Sequence, residues 1–102
     1  MKKTEISKEV RVKVYERDSY DGAPCCICCG SPYGIEVHHF VERSRGGMGI
    51  ESNLVCLCFR CHRKLHDTES AEMKDYIRAY LSCRYEDWAE GKQIVRKYEE
   101  RM

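Results

Sequence analysis

The stretch from Cys25 to His66 holds almost every good metal-binding side chain of this sequence: seven of the eight cysteines and all four histidines. The cysteines gather at its two ends, in Cys25-Cys26-Ile27-Cys28-Cys29 and Cys58-Phe59-Arg60-Cys61, and the histidines are His38, His39, His62 and His66. Thiols and imidazoles at this density are typical of bound metal. The stretch therefore predicts a fold organised around metal ions.

A chain of 102 residues is expected to form a single domain (1–102), whose modest core benefits from a metal staple. The residues from Met1 to Glu5 lead into charged sequence without an apolar region, so no signal peptide is expected and a cytoplasmic location, where thiols stay reduced, is predicted. No apolar run approaches the ~20 residues that a membrane-spanning helix needs. We expect no membrane partner.

The net charge is +1, from 18 Lys and Arg against 17 Asp and Glu, so the total charge gives no support to a nucleic-acid partner. The basic residues nevertheless concentrate around the histidines, at Arg43, Arg45, Arg60, Arg63 and Lys64. Arg43 and Arg45 are candidate phosphate contacts. Ordinary solvated surface charge explains them about as well.

The order of secondary structure follows from local patterns. Between Ser7 and Asp18 valines alternate as in a strand, but Ser7 as N-cap favours a helix. Residues 19–24, with Gly22 and Pro24, predict a loop. Residues 35–40 predict a short strand and residues 54–57 a second one that pairs with it, with Cys56 as a small core residue.

The connection over residues 43–52 is rich in glycine, and Asn53 can hold it in place through its amide. Residues 59–65 predict a short helix on which His62 and His66 share one face. Ser70 is expected to cap a longer helix, and another helical stretch over residues 85–99 is predicted, with Trp88 and Val95 on its buried side. The predicted core spans about residues 17–67, and the C-terminal helical segment about 70–101.

Two Cys-x-x-Cys pairs supply the closed tetrahedral set that structural zinc prefers. Cys58 and Cys61 form the second pair. The first is ambiguous, because Cys25 with Cys28 and Cys26 with Cys29 overlap. We favour Cys26 and Cys29, since Gly30 then follows the second ligand and can adopt a left-handed conformation. Disulfides or free thiols are the alternative.

The histidines require a second explanation, because four thiolates saturate a zinc ion. Successive side chains of a strand point to opposite faces, so His38 and His39 should have different roles unless a bulge intervenes. Neutral imidazole binds divalent transition metals and accepts protons near neutral pH. These are the two capacities that metal-assisted phosphodiester hydrolysis needs.

Taken together, the motifs resemble the HNH endonuclease family in its zinc-stabilised form. The resemblance covers about Arg17 to His66 and rests on these motifs: Arg17-Asp18, His38-His39, Arg43-Ser44-x-Gly46-Gly47, Asn53-Leu54-Val55 and Cys58-x-x-Cys61-His62-x-x-x-His66. It implies an α+β fold with a small, treble-clef-like ββα-metal core, a structural zinc and flanking N- and C-terminal helices. Phe40-Val41-Glu42 replaces the proline that many relatives carry after the histidine pair.

The resemblance also implies roles. His39 would be the general base, Asn53 would hold the loop that orients it, and His38 and His62 would bind the catalytic divalent metal. His66 matches a histidine found in part of the family. If it binds as well, nickel, manganese, cobalt or zinc is favoured over magnesium.

The implied function is hydrolysis of DNA, with one strand nicked per active site by a monomer, or both strands cut by a homodimer, in a bacterial or phage setting. The expected cofactors are structural Zn²⁺ and a catalytic Mn²⁺, Mg²⁺ or Ni²⁺. The rival hypothesis is a non-catalytic zinc-binding module that binds nucleic acid or protein.

Overall fold

The computed structural model describes residues 2–68 and 70–95 and places a two-stranded antiparallel sheet between helices. The elements are α1 (Lys8–Arg17), β1 (Ser19–Tyr20), β2 (Ala23–Pro24), β3 (Ile35–His39), β4 (Leu54–Cys58), α2 (Phe59–Thr68) and α3 (Ala71–Arg84), with 3-10 turns at Arg43–Arg45, Glu51–Asn53 and Glu90–Gln93. The predicted α+β class is confirmed, with β3, β4 and α2 as the ββα core.

Helix α1 resolves the conflict between the two patterns in the N-terminal valines. The Ser7 Oγ accepts a hydrogen bond from the Val10 amide at 3.1 Å, which caps the helix as predicted. Val14 is fully buried against Leu54, whereas Val12 is 46% exposed. A strand would have placed both valines on one face. Their different exposure is therefore typical of a helix and not of a strand.

The segment predicted as a loop after α1 is instead a minimal β-hairpin. Ser19 pairs with Pro24 and Tyr20 with Ala23. The turn between them has positive φ at Asp21 (52°) and Gly22 (84°), the conformation that matches the twist of a tight hairpin. The prediction failed because each strand has only two residues.

Strands β3 and β4 pair in register, with His38 opposite Val55 and His39 opposite Leu54. All of β4 is buried. Val55 and Leu57 pack with Leu65, Ile77 and Leu81 of α2 and α3, whereas Leu54 and Cys56 pack with Val14 of α1. The hairpin therefore has helices on both faces, and Cys56 is the core residue that the sequence predicts.

Arg17 and Asp18, at the end of α1, tie that helix to the sheet. The Arg17 Nε donates to Asp18 Oδ1 at 2.7 Å, and Asp18 Oδ2 accepts from the Cys56 amide at 2.9 Å. The Tyr80 hydroxyl of α3 also donates to Asp18. This buried network joins α1, β4 and α3.

Helices α2 and α3 begin where the sequence predicts, and α2 runs to Thr68, beyond the predicted residue 65. The Ser70 Oγ accepts from the Met73 amide at 3.2 Å, which caps α3. Ile77 and Leu81 are fully buried on its inner face. Among the described residues, no helix has the length and apolar character needed to cross a bilayer.

The helix predicted over residues 85–99 is wrong for its described part. Tyr85–Val95 contains one 3-10 turn, and Asp87 has φ of 57°. The Trp88 Nε1 donates to the Ser52 carbonyl at 2.7 Å, and Ile94 forms an isolated bridge with Gly47. Contacts with the 43–52 connection thus override the helical pattern, and residues 96–99 lie outside the described residues.

Candidate metal and catalytic site

Four cysteines from three parts of the chain meet at one point. The Sγ atoms of Cys26, Cys29, Cys58 and Cys61 all lie within 4.8 Å of one another. The first two flank a turn that ends at Gly30, whose φ of 80° is the left-handed conformation predicted for it. The second two come from the end of β4 and the first turn of α2. Four thiols at these distances fit a tetrahedral zinc ion.

The alternative pair behaves differently. Cys25 and Cys28 are not part of this four-sulfur group. Burial, together with the neighbouring sulfurs, raises the pKa of the Cys28 thiol to about 12. Burial also raises the pKa of Cys26, but hydrogen bonds from backbone amides of Cys58, Cys29 and Cys28 outweigh it and lower the pKa to about 7. Cys26 is therefore the thiol of the two that more readily supplies a thiolate.

Three histidines form a second cluster, and two of them belong to α2. Ring nitrogens of His38, His62 and His66 lie within 4.8 Å of one another, and Nε2 of His62 is 3.0 Å from Nε2 of His66. His38 is buried and comes from β3, whereas the other two occupy successive turns of α2. The three imidazoles that the sequence assigns to a divalent cation are therefore brought together.

Burial, together with the charges of His62, His66 and His39, lowers the pKa of His38 to about 3. A metal ligand must be the neutral imidazole. His38 meets that requirement throughout the neutral range.

Glu36 belongs to this cluster, although the sequence analysis did not find it. Its Oε2 lies 2.8 Å from Nδ1 of His62. A carboxylate accepts, so Nδ1 carries the proton and Nε2 keeps its lone pair toward the cluster. Glu36 stands two residues before His38 on β3, and residues two apart share a strand face. The two-residue spacing between Glu36 and His38 is the sequence signal that could have identified Glu36.

His39 points away from the three-histidine cluster, because β3 is regular and no bulge intervenes. Its Nε2 lies 2.8 Å from the carbonyl oxygen of Thr4. Since a carbonyl only accepts, Nε2 carries the proton and Nδ1 keeps a lone pair. Burial lowers the pKa of His39, the Thr4 bond partly opposes this, and Arg43 and Arg11 lower it again.

Asn53 is fully buried and holds the connection between β3 and β4 at two points. Its Oδ1 accepts from the Val41 amide at 2.8 Å. Its Nδ2 donates to the carbonyls of Val41 at 3.1 Å and Met48 at 2.9 Å. Gly47 fits here because a Cβ would lie 1.7 Å from the Val41 oxygen.

An open cavity of about 290 Å³ joins these features. Both faces of β3 contribute to it, His38 from one and His39 from the other, and His62 and His66 supply the far wall. Arg43 and Glu42 line the cavity, but Arg45 does not. The two predicted phosphate contacts are thus separated: only Arg43 is at the cavity.

A closed cysteine cluster beside an open histidine cluster, carried by two strands and one helix, defines a zinc-type ββα-metal domain. Residues 26–68 match the model of the HNH endonuclease family. This match confirms the resemblance to the HNH endonuclease family that the motifs predict.

The sequence is also similar to the type IV methyl-directed restriction enzyme EcoKMcrA of Escherichia coli (strain K12). The two are 44% identical over 50 residues, which are 49% of this chain and 18% of that enzyme. The chain thus spans about a fifth of the relative's length, and the similarity is confined to one part of it.

Proposed function

We propose that this domain is a metal-dependent endonuclease that hydrolyses DNA phosphodiester bonds, nicking one strand per active site. The observation that carries the proposal is the division of the histidines: three converge on one point and the fourth, His39, lines the same cavity from the opposite strand face. The match to the HNH family and the similarity to a restriction enzyme support DNA as the substrate.

Zinc at the four cysteines would hold the scaffold, and His38, His62 and His66 would hold a catalytic divalent cation such as Mn²⁺, Mg²⁺ or Ni²⁺. That cation supplies Lewis-acid stabilisation of the charge that develops on the scissile phosphate and the leaving oxygen. Three nitrogen donors favour nickel or manganese over magnesium.

His39 has the properties of the general base. Its pKa is lowered chiefly by burial, so the ring is neutral at pH 7, and the Thr4 carbonyl leaves Nδ1 with the lone pair. A water molecule in the cavity can pass its proton to that nitrogen as it attacks the phosphorus. Asn53 fixes the connection that follows His39, and Arg43 contributes positive charge to the wall.

The test is cleavage of supercoiled plasmid by the purified protein with manganese, magnesium or nickel. His39→Ala should lower the rate by about 10² to 10⁴, the usual contribution of a general base. Lys13→Ala, on the exposed side of α1, should cleave like the parent protein. Nicked circles should appear before linear DNA.

Two results would count against the proposal. Undiminished cleavage by His39→Ala removes the general-base assignment. DNA binding without cleavage in any of the metals favours the non-catalytic zinc module. The cytoplasmic location and the monomeric or homodimeric state stay predictions.

A further inference from the structure

A second cavity, of about 410 Å³, lies beside the cysteine cluster rather than the histidine cluster. Tyr33, Gly34, Phe59 and Arg60 line it together with Cys29 and Cys58. Tyr33 is 81% exposed and Phe59 is 55% exposed. Single exposed apolar side chains are ordinary, but two aromatic rings at one cavity form a surface suited to a flat ligand.

The surroundings of this cavity are positively charged. Arg60 lines it, and the Arg63 guanidinium lies 5.0 Å from the centre of the Phe59 ring. None of the described residues that line the cavity is acidic. A ligand with flat rings and attached negative charges, as in a nucleic-acid strand, complements both features.

The aromatic cavity is also close to the histidine cluster. Phe59 and His62 are three residues apart on α2, which is ~4.5 Å along the helix axis. Residues three and four apart are neighbours on a helix surface, so Phe59 and Arg63 lie beside His62 and His66. Successive phosphates of one DNA strand are ~3.4 Å apart along the duplex axis. One strand can therefore reach both places within a nucleotide or two.

The cysteine cluster fixes the two rings relative to each other. Phe59 directly follows Cys58, and Tyr33 stands four residues after Cys29. The Cβ that Gly34 lacks would lie 3.4 Å from Phe59 Cβ, so the two segments are in contact. A platform attached to two ligands of the same metal would stay in place when DNA arrives.

We propose that this cavity binds one nucleobase, unstacked from the DNA strand whose phosphate lies at the histidine cluster. The base stacks on Tyr33 and Phe59, and Arg60 and Arg63 contact the flanking phosphates. The site accepts any base, because every base has a π-face. The proposal rests on the proposed function in that DNA is the ligand.

The test measures binding of two labelled duplexes by fluorescence anisotropy: one fully paired, the other carrying a single-nucleotide bulge. The protein carries His39→Ala, so the DNA stays intact. A bulged base is already partly unstacked, so we expect the bulged duplex to bind about tenfold more tightly. Tyr33→Leu and Phe59→Leu should each abolish that preference. Tyr76→Leu, which alters an aromatic residue exposed on α3, should keep it.

Zinc content shows whether each variant is folded. If Phe59→Leu loses zinc, the test of the proposal is Tyr33→Leu, because Tyr33 is the more exposed of the two residues. Equal binding of the two duplexes by the parent, or a preference that survives in Tyr33→Leu, overturns the proposal. Plasmid cleavage by the wild-type chain reports on the nuclease separately. If the wild-type chain cleaves plasmid but Tyr33→Leu keeps the preference for the bulged duplex, only the base site is refuted. If the wild-type chain does not cleave but Tyr33→Leu loses that preference, the nuclease is refuted and the base site is supported.

Discussion

The cysteine cluster and the histidine cluster both include residues of α2, yet they differ in ligand type and in the number of ligands. Cys26 and Cys58 are buried, and their four-sulfur group offers a complete set of soft ligands. The histidine group offers three nitrogens and faces an open cavity. A closed set suits structure, whereas an incomplete set leaves positions for water or substrate.

The surroundings of the two clusters differ as well. Each cysteine pair lies on a backbone turn, and the Cys58 Sγ accepts from the Cys61 amide at 3.4 Å. In the histidine cluster, His62 contacts not only His66 on its own helix but also Glu36 on another element. The contacts within each cysteine pair are local, whereas the contact of His62 with Glu36 is tertiary. Single substitutions should therefore damage the two sites in different ways.

The largest effect is expected from Cys58→Ser. Structural zinc contributes an apparent ~10 to 16 kcal/mol in small zinc domains, which is comparable to a whole domain's stability of about 5 to 15 kcal/mol. The variant should lose bound zinc and unfold at room temperature, as seen by metal analysis and circular dichroism. Cys28→Ser, the matched control in the alternative pair, should retain one zinc. Equal zinc loss in both would mean that the pair assignment is wrong.

Next in size is Asn53→Asp, which affects the connection beside the histidine cluster. The change replaces two donated hydrogen bonds, to the carbonyls of Val41 and Met48, by contacts between oxygen atoms. We expect a loss of about 2 to 4 kcal/mol in the free energy of unfolding, measured in urea. Zinc content should stay unchanged and cleavage should fall. Ser52→Ala, at the adjacent residue, should cost about 1 kcal/mol.

The difference between local and tertiary contacts also explains what the sequence predicts well. The Cys-x-x-Cys spacings and Gly30 are local signals, and they predicted the four cysteines that meet in the structure. Strand alternation likewise predicted that His38 and His39 face opposite ways. Each of these inferences uses residues only a few positions apart.

Apart from the short hairpin after α1, the failures involve long-range contacts. Trp88 is held by the Ser52 carbonyl, 36 residues away, and Ile94 pairs with Gly47. Those contacts replaced the helix expected over residues 85–95, although the apolar spacing there is helical. Glu36 was missed because its partner His62 is 26 positions distant. The spacing of Glu36 from His38 places it on the same strand face, but only the fold shows that it meets His62.

Glu36→Gln should have a smaller effect that is confined to the histidine cluster. The amide can turn either its oxygen or its nitrogen toward His62, so the ring loses its fixed tautomer. Removing such an outer partner typically weakens metal binding about 10- to 100-fold. Calorimetric titration with Ni²⁺ or Mn²⁺ measures this. Glu42→Gln removes one carboxylate charge from the cavity that the histidines line but breaks no bond to imidazole, so equal weakening in both variants would point to charge alone.

The smallest effect is expected from the arginines. It tests whether a basic side chain beside the histidine cluster contacts the DNA phosphates. Arg43 lines the histidine cavity and Arg45 does not. Arg43→Gln should weaken DNA binding a few-fold at low salt and reduce the slope of log affinity against log salt by about 1, as expected when one phosphate contact is lost. Arg45→Gln should change the slope less. Equal slopes in the two variants would mean that Arg43 is ordinary surface charge. The substrate site at this cavity would then consist of the histidines without an arginine.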